Sequence, residues 1–255
     1  DGRMQNGRGV DLSSDMDQRR VRVIVPMKPI TEGKSRLAPM LNSDQRALLS
    51  LAMLIRVLGV VAATPGIKDV VVYGGDDAVR LACERAGAGW LPDPGLGLNG
   101  CLAAGFSDAV DAAYTHGMFL PADLPLVTAE ALSMLIEAGQ DKQVVIAPDL
   151  ANDGTNALLV DLTTTFPTLL GEASFDRHIQ QARQLGIDYV DHRPESFRLE
   201  LGLDIDTAPD MERLIDLVPV LWADLRCEIQ VAGLEALLPG NSGDPVKGPV
   251  EEGTE

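Results

Sequence analysis

Aromatic residues make up only 4% of the 255 positions, so aliphatic side chains must fill whatever core the chain builds. The three cysteines, Cys83, Cys101 and Cys227, lie far apart with no C-x-x-C pair. That argues against a disulfide framework or a thiolate zinc site and predicts reduced thiols. The three histidines, His116, His178 and His192, lack the spacing of metal ligands. Positive charge is scarce: 21 Lys and Arg stand against 38 Asp and Glu, a formal net charge of −17. A general nucleic-acid binder shows a basic face instead, and anionic membrane surfaces repel such a chain. A small anionic substrate is not excluded, because a local cationic pocket overrides the global field at short range. No apolar run approaches the ~20 residues that span a bilayer, and no signal segment is evident. The expectation is a cytoplasmic protein. No Ser/His/Asp or Cys/His constellation for nucleophilic catalysis stands out either.

What is present is alternation. Hydrophobic residues reach 45%, enough for a sizeable core. Residues 1–20 are polar and aperiodic and are expected to be a disordered leader, and 239–255, rich in Gly, Pro and acid, a disordered tail. A single domain is expected over 21–238. Strands are predicted at 21–25, 69–73, 89–91, 117–120, 143–147, 157–160 and near 188–190. Helices are predicted over 43–63 with Asn42 or Ser43 as cap, 76–86 capped by Asp76, 100–114, 128–138, 174–185 capped by Ser174, and 209–217. Such alternation means an α/β fold, a mostly parallel sheet with helices on both faces.

Three cations, Lys28, Lys34 and Arg36, follow the first apolar strand within nine residues. Ligands of open α/β sheets bind beyond the carboxyl ends of the strands, so a basic loop there suits a phosphorylated ligand. Gly33-Lys34-Ser35 matches the end of a P-loop, but the glycine five positions earlier is replaced by Lys28 and Pro39 interrupts the required helix. The P-loop is rejected. Asp123 and the pair Asp204/Asp206 also fall at expected strand ends. Period-two spacing puts Asp204 and Asp206 on one face, where their repulsion would be relieved by a divalent cation such as Mg²⁺. Taken singly, Asp206 is a good helix-cap candidate. Gly95-Leu96-Gly97-Leu98-Asn99-Gly100 lacks the context of a dinucleotide fingerprint, yet lets a nucleobase approach the backbone closely, with Asn99 offering amide donors and acceptors. Asn152-Asp153-Gly154-Thr155-Asn156 reads equally as a plain turn and as a loop that offers Thr155 to an acidic ligand. The missing catalytic nucleophile fits nucleotidyl transfer, where the substrate supplies its own: a phosphate monoester, with a second pKa of about 6, is largely dianionic at neutral pH.

Pro26-Met27-Lys28 with Lys34-Ser35-Arg36-Leu37-Ala38, Leu98-Asn99, Pro121-Ala122-Asp123-Leu124-Pro125, Asp153-Gly154-Thr155-Asn156 and Asp204-Ile205-Asp206-Thr207 together resemble the CofC family. These are the 2-phospho-L-lactate and phosphoenolpyruvate guanylyltransferases of coenzyme F(420) biosynthesis. The resemblance covers about residues 21–217. It implies a single Rossmann-like domain of the nucleotide-diphospho-sugar transferase type, GTP as co-substrate and Mg²⁺ as cofactor. It places Lys28 and Lys34 around the phosphates as catalytic cations, with Arg36 of the same basic loop expected beside them, and Asp123 and Asp204, helped by Asp206, on the metal. Thr155, Gly171 and Ser174 match the acceptor-phosphate pocket, and Ser174 stands where a helix N-terminus would offer free N–H groups to an anion. Asn99 is expected beside the nucleotide. The expected partners are small molecules only, GTP and a three-carbon phosphoacid (2-phospho-L-lactate, phosphoenolpyruvate or 3-phosphoglycerate), with no nucleic acid and no membrane; a homodimer stays compatible with the sequence. The alternatives are another nucleotidyltransferase of this fold, acting on a sugar phosphate or a molybdenum-cofactor precursor, and a non-catalytic binding module.

Overall fold

A computed structural model of the protein describes residues 19–220 together with Ala223, Asp224 and Cys227. The expected leader up to residue 18 and the expected tail from 239 lie outside the described residues. Arg19 and Arg20, assigned above to the leader, are tied to the domain. The Arg19 guanidinium donates to Ile136 O and Gly139 O at 2.8 and 3.2 Å, and Arg20 O accepts from Thr115 N at 3.0 Å.

Seven strands form one sheet in the order β3-β2-β1-β4-β6-β5-β7. They are β1 (Val21–Met27), β2 (Ile67–Gly74), β3 (Gly89–Leu91), β4 (His116–Phe119), β5 (Val144–Pro148), β6 (Thr155–Asp161) and β7 (Tyr189–Asp191). All pairings are parallel except those of β6, which runs antiparallel to both β4 and β5. Among the described residues, seven helices cover the sheet: α1 (Ser43–Ala63), α2 (Asp77–Ala86), α3 (Gly97–Asp111), α4 (Ala129–Ala138), α5 (Ser174–Leu185), α6 (Arg198–Gly202) and α7 (Ala208–Leu217). α3 begins three residues earlier than its apolar pattern suggests, and α6 is too short for that pattern to show.

The central strand explains the layering. Val21, Val23 and Val25 of β1 are buried on the face covered by α1, α2 and α4, whereas Ile24 is buried on the other face with α3 and α5. A strand covered on both sides reads as a continuous apolar run. Pro26 is tolerated inside it because the pairing with β4 has already ended at Ile24 and Phe119, so no ladder bond needs its missing N–H.

The sequence expected no apolar run of spanning length, yet α1 is one by length and composition. Its leucines, valines and Met53 sit in the core instead. A reciprocal cap starts it: Asn42 Oδ1 accepts from Gln45 N, and Gln45 Oε1 from Asn42 N, each at 2.9 Å. At the carboxyl edge of the sheet, Gly74 adopts φ +93°, and a Cβ there would stand 2.4 Å from Met27 O. Only glycine lets β2 leave the sheet this close to the end of β1.

Candidate active site

The loop after β1 is pinned at both ends by apolar anchors, Ile30 and Leu37, which drop into the core. Asp76 holds it as well: Oδ2 accepts from Ile30 N at 3.0 Å, while Oδ1 caps α2 through Val79 N at 3.2 Å. Between the anchors, Lys34 is left-handed at φ +56° and enters a 3₁₀ turn, Ser35–Leu37. That conformation costs a residue with a Cβ roughly 1–2 kcal/mol, and here it aims the side chain inward. Lys34 Nζ lies 2.5 Å from Asp123 Oδ2 and 3.0 Å from Asp206 Oδ1. Burial by itself would lower the lysine's pKa, but the two carboxylates outweigh it and hold the ammonium above its ordinary value.

The carboxylates are brought together by the backbone. Ile205 N–H donates to Asp123 O at 3.2 Å, and fully buried Ile205 fixes Asp204 and Asp206 on either side of it. This segment is an extended stretch following α6, not the end of a sheet strand as its spacing suggested. Asp204 accepts from Asn156 Nδ2 at 3.1 Å. Burial, then the neighbouring charge of Asp123, push its pKa up to about 6 against the Asn156 hydrogen bond. The cap reading of Asp206 does not hold. Asp210 Oδ2 accepts from the N–H groups of Asp206 and Thr207 and from the Thr207 hydroxyl, so Thr207 and Asp210 start α7. Asp206 is thereby left to face Lys34. Two carboxylates already share one cation, and a third is held charged only with difficulty; hard oxygen donors in this balance suit a divalent ion. Among the described residues no three ligating groups already form a ready metal cage. Lys34 is the cation that bridges two of them.

A second polar cluster lies one residue along β6. A register shift opposite Ala147/Pro148 leaves Asn156 without a cross-strand partner, the pattern of a β-bulge that re-aims side chains. Asn156 therefore turns to Gly202 and Asp204, whereas Thr155 turns to α5. Thr155 Oγ1 lies 3.0 Å from His178 Nδ1 and accepts from Ser174 Oγ at 3.2 Å. The loop from 162 to 173 closes over them, with Leu169 N–H donating to His178 Nε2 at 2.8 Å. Asn99 of α3 clamps that loop: its Nδ2 donates to Leu170 O at 3.1 Å and its Oδ1 accepts from Leu170 N at 2.7 Å. One N–H and one lone pair of the Asn99 amide remain for any other contact.

The family model described as "Guanylyl transferase CofC like" matches residues 21–216, a span that contains both clusters. The chain belongs to the CofC-like guanylyl transferase family. A phosphoenolpyruvate guanylyltransferase of Sphaerobacter thermophilus is 34% identical over 197 residues, 77% of this chain and 93% of that protein. A 2-phospho-L-lactate guanylyltransferase of Methanothermobacter thermautotrophicus is 31% identical over 193 residues, 75% of this chain and 82% of that one. Solved structures agree on the fold. A protein of Desulfovibrio desulfuricans G20 described as a nucleotide-diphospho-sugar transferase superposes with a TM-score of 0.64 at 16% identity, covering 83% of this chain and 96% of that one. A nucleotidyl transferase of Methanothermobacter thermautotrophicus gives 0.57 at 16% identity, covering 78% and 97%. The protein is a nucleotidyltransferase enzyme, and the binding-module alternative falls with that.

Within this CofC-like site the structure brings together Lys34, Asp123, Asp204 and Asp206, and separately Thr155 and Ser174. Lys28, just past β1, and Arg36, in the 3₁₀ turn, are exposed. Gly171 is exposed at φ +123°. Ser174 is the first helical residue of α5 rather than its cap; that position belongs to Ala173, left-handed at φ +52°. The helix end is also less open than a bare N-terminus, because Ser174 N donates to Gly171 O at 3.1 Å and Phe175 N to Asp153 O at 3.0 Å. Sequence reasoning missed His178 and the separate role of Asn156. The available signal was the spacing of Ser174 and His178, which puts both on one helical face.

Proposed function

We propose that the protein transfers GMP from GTP to a three-carbon phosphoacid, phosphoenolpyruvate or 2-phospho-L-lactate, in coenzyme F(420) biosynthesis. The observation that carries this reading is the adjacency, through Thr155 and Asn156 on one strand, of a carboxylate–lysine cluster and a buried hydroxyl pair. A phosphate oxygen of the acceptor attacks the α-phosphorus of GTP, the bond from that phosphorus to the bridging oxygen breaks, and pyrophosphate leaves. The acceptor is its own nucleophile, so the chain must align and neutralise rather than abstract a proton. Asp123 and Asp204, with Asp206 beside them, would hold Mg²⁺. That ion would supply charge neutralisation at the phosphates. Lys34, released from its carboxylates, is within reach of the same charges, and exposed Lys28 and Arg36 line the approach to the carboxyl edge of the sheet. Thr155 and Ser174 take the acceptor phosphate. Asn99 acts on the site by holding the loop that covers it.

Pyrophosphate release measured across four nucleoside triphosphates and the acceptors phosphoenolpyruvate, 2-phospho-L-lactate, 3-phosphoglycerate and a sugar 1-phosphate tests the assignment. GTP with one of the first two acceptors should exceed every other combination. Guanine and adenine present opposite hydrogen-bonding patterns at position 6, so a pocket built for one leaves buried groups unpaired with the other. Equal turnover with ATP, or preference for the sugar phosphate, would move the protein to another branch of the fold.

A further inference from the structure

His178 is fully buried, makes no contact with the carboxylate cluster, and yet both ring nitrogens are engaged. The Leu169 N–H can only donate, so Nε2 must present its lone pair and the ring proton must sit on Nδ1. The pKa lies at about 4, lowered by burial and then by the Arg177 charge, so the ring is neutral at working pH and has this one proton to give.

A proton count then fixes the character of the hydroxyl pair. Thr155 and Ser174 bring two hydroxyl protons, and His178 Nδ1 brings a third. The His178–Thr155 contact uses the imidazole proton, and the Ser174–Thr155 contact uses one hydroxyl proton. One hydroxyl proton is left over, whichever of the two hydroxyls donates to the other. With the opposite tautomer, Thr155 would donate to Nδ1 and Ser174 to Thr155. No proton would remain, and the pair would turn only lone pairs toward a ligand. The ring tautomer therefore decides whether this pocket attracts or repels an anion.

We propose that His178 is a positioning residue for the acceptor: by donating from Nδ1 it turns the Thr155–Ser174 pair into a proton donor for a phosphate-monoester oxygen. This rests on the reading that the pair faces the acceptor phosphate. The covering loop sets the tautomer through Leu169 N–H, and Asn99 sets the loop through Leu170, so the polarity of the pocket is fixed from outside it.

Steady-state kinetics on the full chain with phosphoenolpyruvate and GTP, for H178Q, H178N and T155V, together with the long-range ¹H–¹⁵N spectrum of wild type, provide the test. Glutamine places its amide near Nε2 and keeps only the loop contact; asparagine places an N–H near Nδ1 and keeps the donation to Thr155. H178Q should raise KM for phosphoenolpyruvate about ten- to a hundred-fold, the effect of one hydrogen bond to a charged group, with KM for GTP little changed. H178N should recover most of that loss, and the spectrum should show the proton on Nδ1. Equal losses in H178Q and H178N would mean that packing and not the proton matters, and would overturn the proposal. An unchanged KM in H178Q alongside a raised KM in T155V would overturn the role of His178 and leave the acceptor pocket standing. Unchanged KM in both would remove the acceptor pocket itself. If the variants fail to fold, the spectrum decides: an Nε2-protonated ring in wild type refutes the inference without any activity measurement.

Discussion

Lys34 and Asp204 are set against each other by charge. Lys34 neutralises Asp123 and Asp206, while Asp204 is left with burial and two like charges and a pKa raised to about 6. Melting curves recorded against Mg²⁺ concentration should separate the two roles. Without metal, K34M loses the cation between two carboxylates and should lose on the order of 1–3 kcal/mol, with an enlarged recovery on adding Mg²⁺. D204N should melt no lower than wild type without metal, gain little from it, and turn over almost nothing. Equal metal responses in all three proteins would show that these side chains do not form the metal site. His178 contributes to the pH dependence of stability. Its unfolded pKa is near 6.5 and its folded pKa about 4, so the unfolded chain binds the proton first. Its stabilising contribution is intact above 6.5 and is lost as pH falls toward 4, by roughly 3 kcal/mol at most. H178Q should show a flatter acid limb in melting temperature against pH; an identical limb would mean that this ring does not titrate during unfolding.

The elements differ in how much of themselves they reveal before folding. β1, β2 and β5 carry β-branched runs buried on both faces, and α1, α2 and α4 carry Asn42, Asp76 and Thr128 at their caps, so apolar pattern and local capping chemistry agree. Strand direction is not written in apolar pattern, and the reversal of β6 was not foreseen. Its signal lay in the connection from β5, residues 149–154, too short for a parallel crossover. The polar residues of the site divide in the same way. Lys34 and Asp123 are legible because a charge near a strand end has few structural uses, and Asp204 is legible from its period-two spacing with Asp206, although no sheet strand ends there. The roles of Asn99 and His178 are not, because each is a clamp on the covering loop whose partners only the fold brings near: Asn99 holds the backbone of Leu170, and His178 joins Leu169 N–H to the Thr155 hydroxyl. Asn99 was expected to meet the nucleotide, and the structure gives its amide to Leu170 of the covering loop. N99A should therefore raise KM for the phosphoacid several-fold and leave the preference for GTP over ATP intact. A collapse of that preference with an unchanged acceptor KM would return Asn99 to the base.

For the molecule as a whole, the proposed reaction asks a strongly acidic protein to handle substrates that are themselves polyanions. The long-range field of the chain's net charge of −17 opposes their approach but decays within a Debye length of about 8–10 Å at physiological salt. Inside that distance the site's own charges and hydroxyl protons decide. The carboxylates, Lys34 and the Thr155–Ser174 pair come from five separate stretches of chain, the loops after β1 and β4, the start of β6, the start of α5 and the segment before α7. The ends of β1, β4 and β6 bring them close, and the Ile205–Asp123, Lys34–carboxylate and Ser174–Thr155 contacts tie them together. The central claim is that these stretches form one site at which an acceptor phosphate displaces pyrophosphate from GTP. ³¹P NMR of the protein with GTP, phosphoenolpyruvate and Mg²⁺ tests it most directly. The account predicts coupled phosphoanhydride signals from the new GMP–phosphoacid linkage growing together with pyrophosphate, absent without acceptor and absent in D204N. Release of inorganic phosphate and GDP instead, or the same anhydride signals at full rate in D204N, would contradict it.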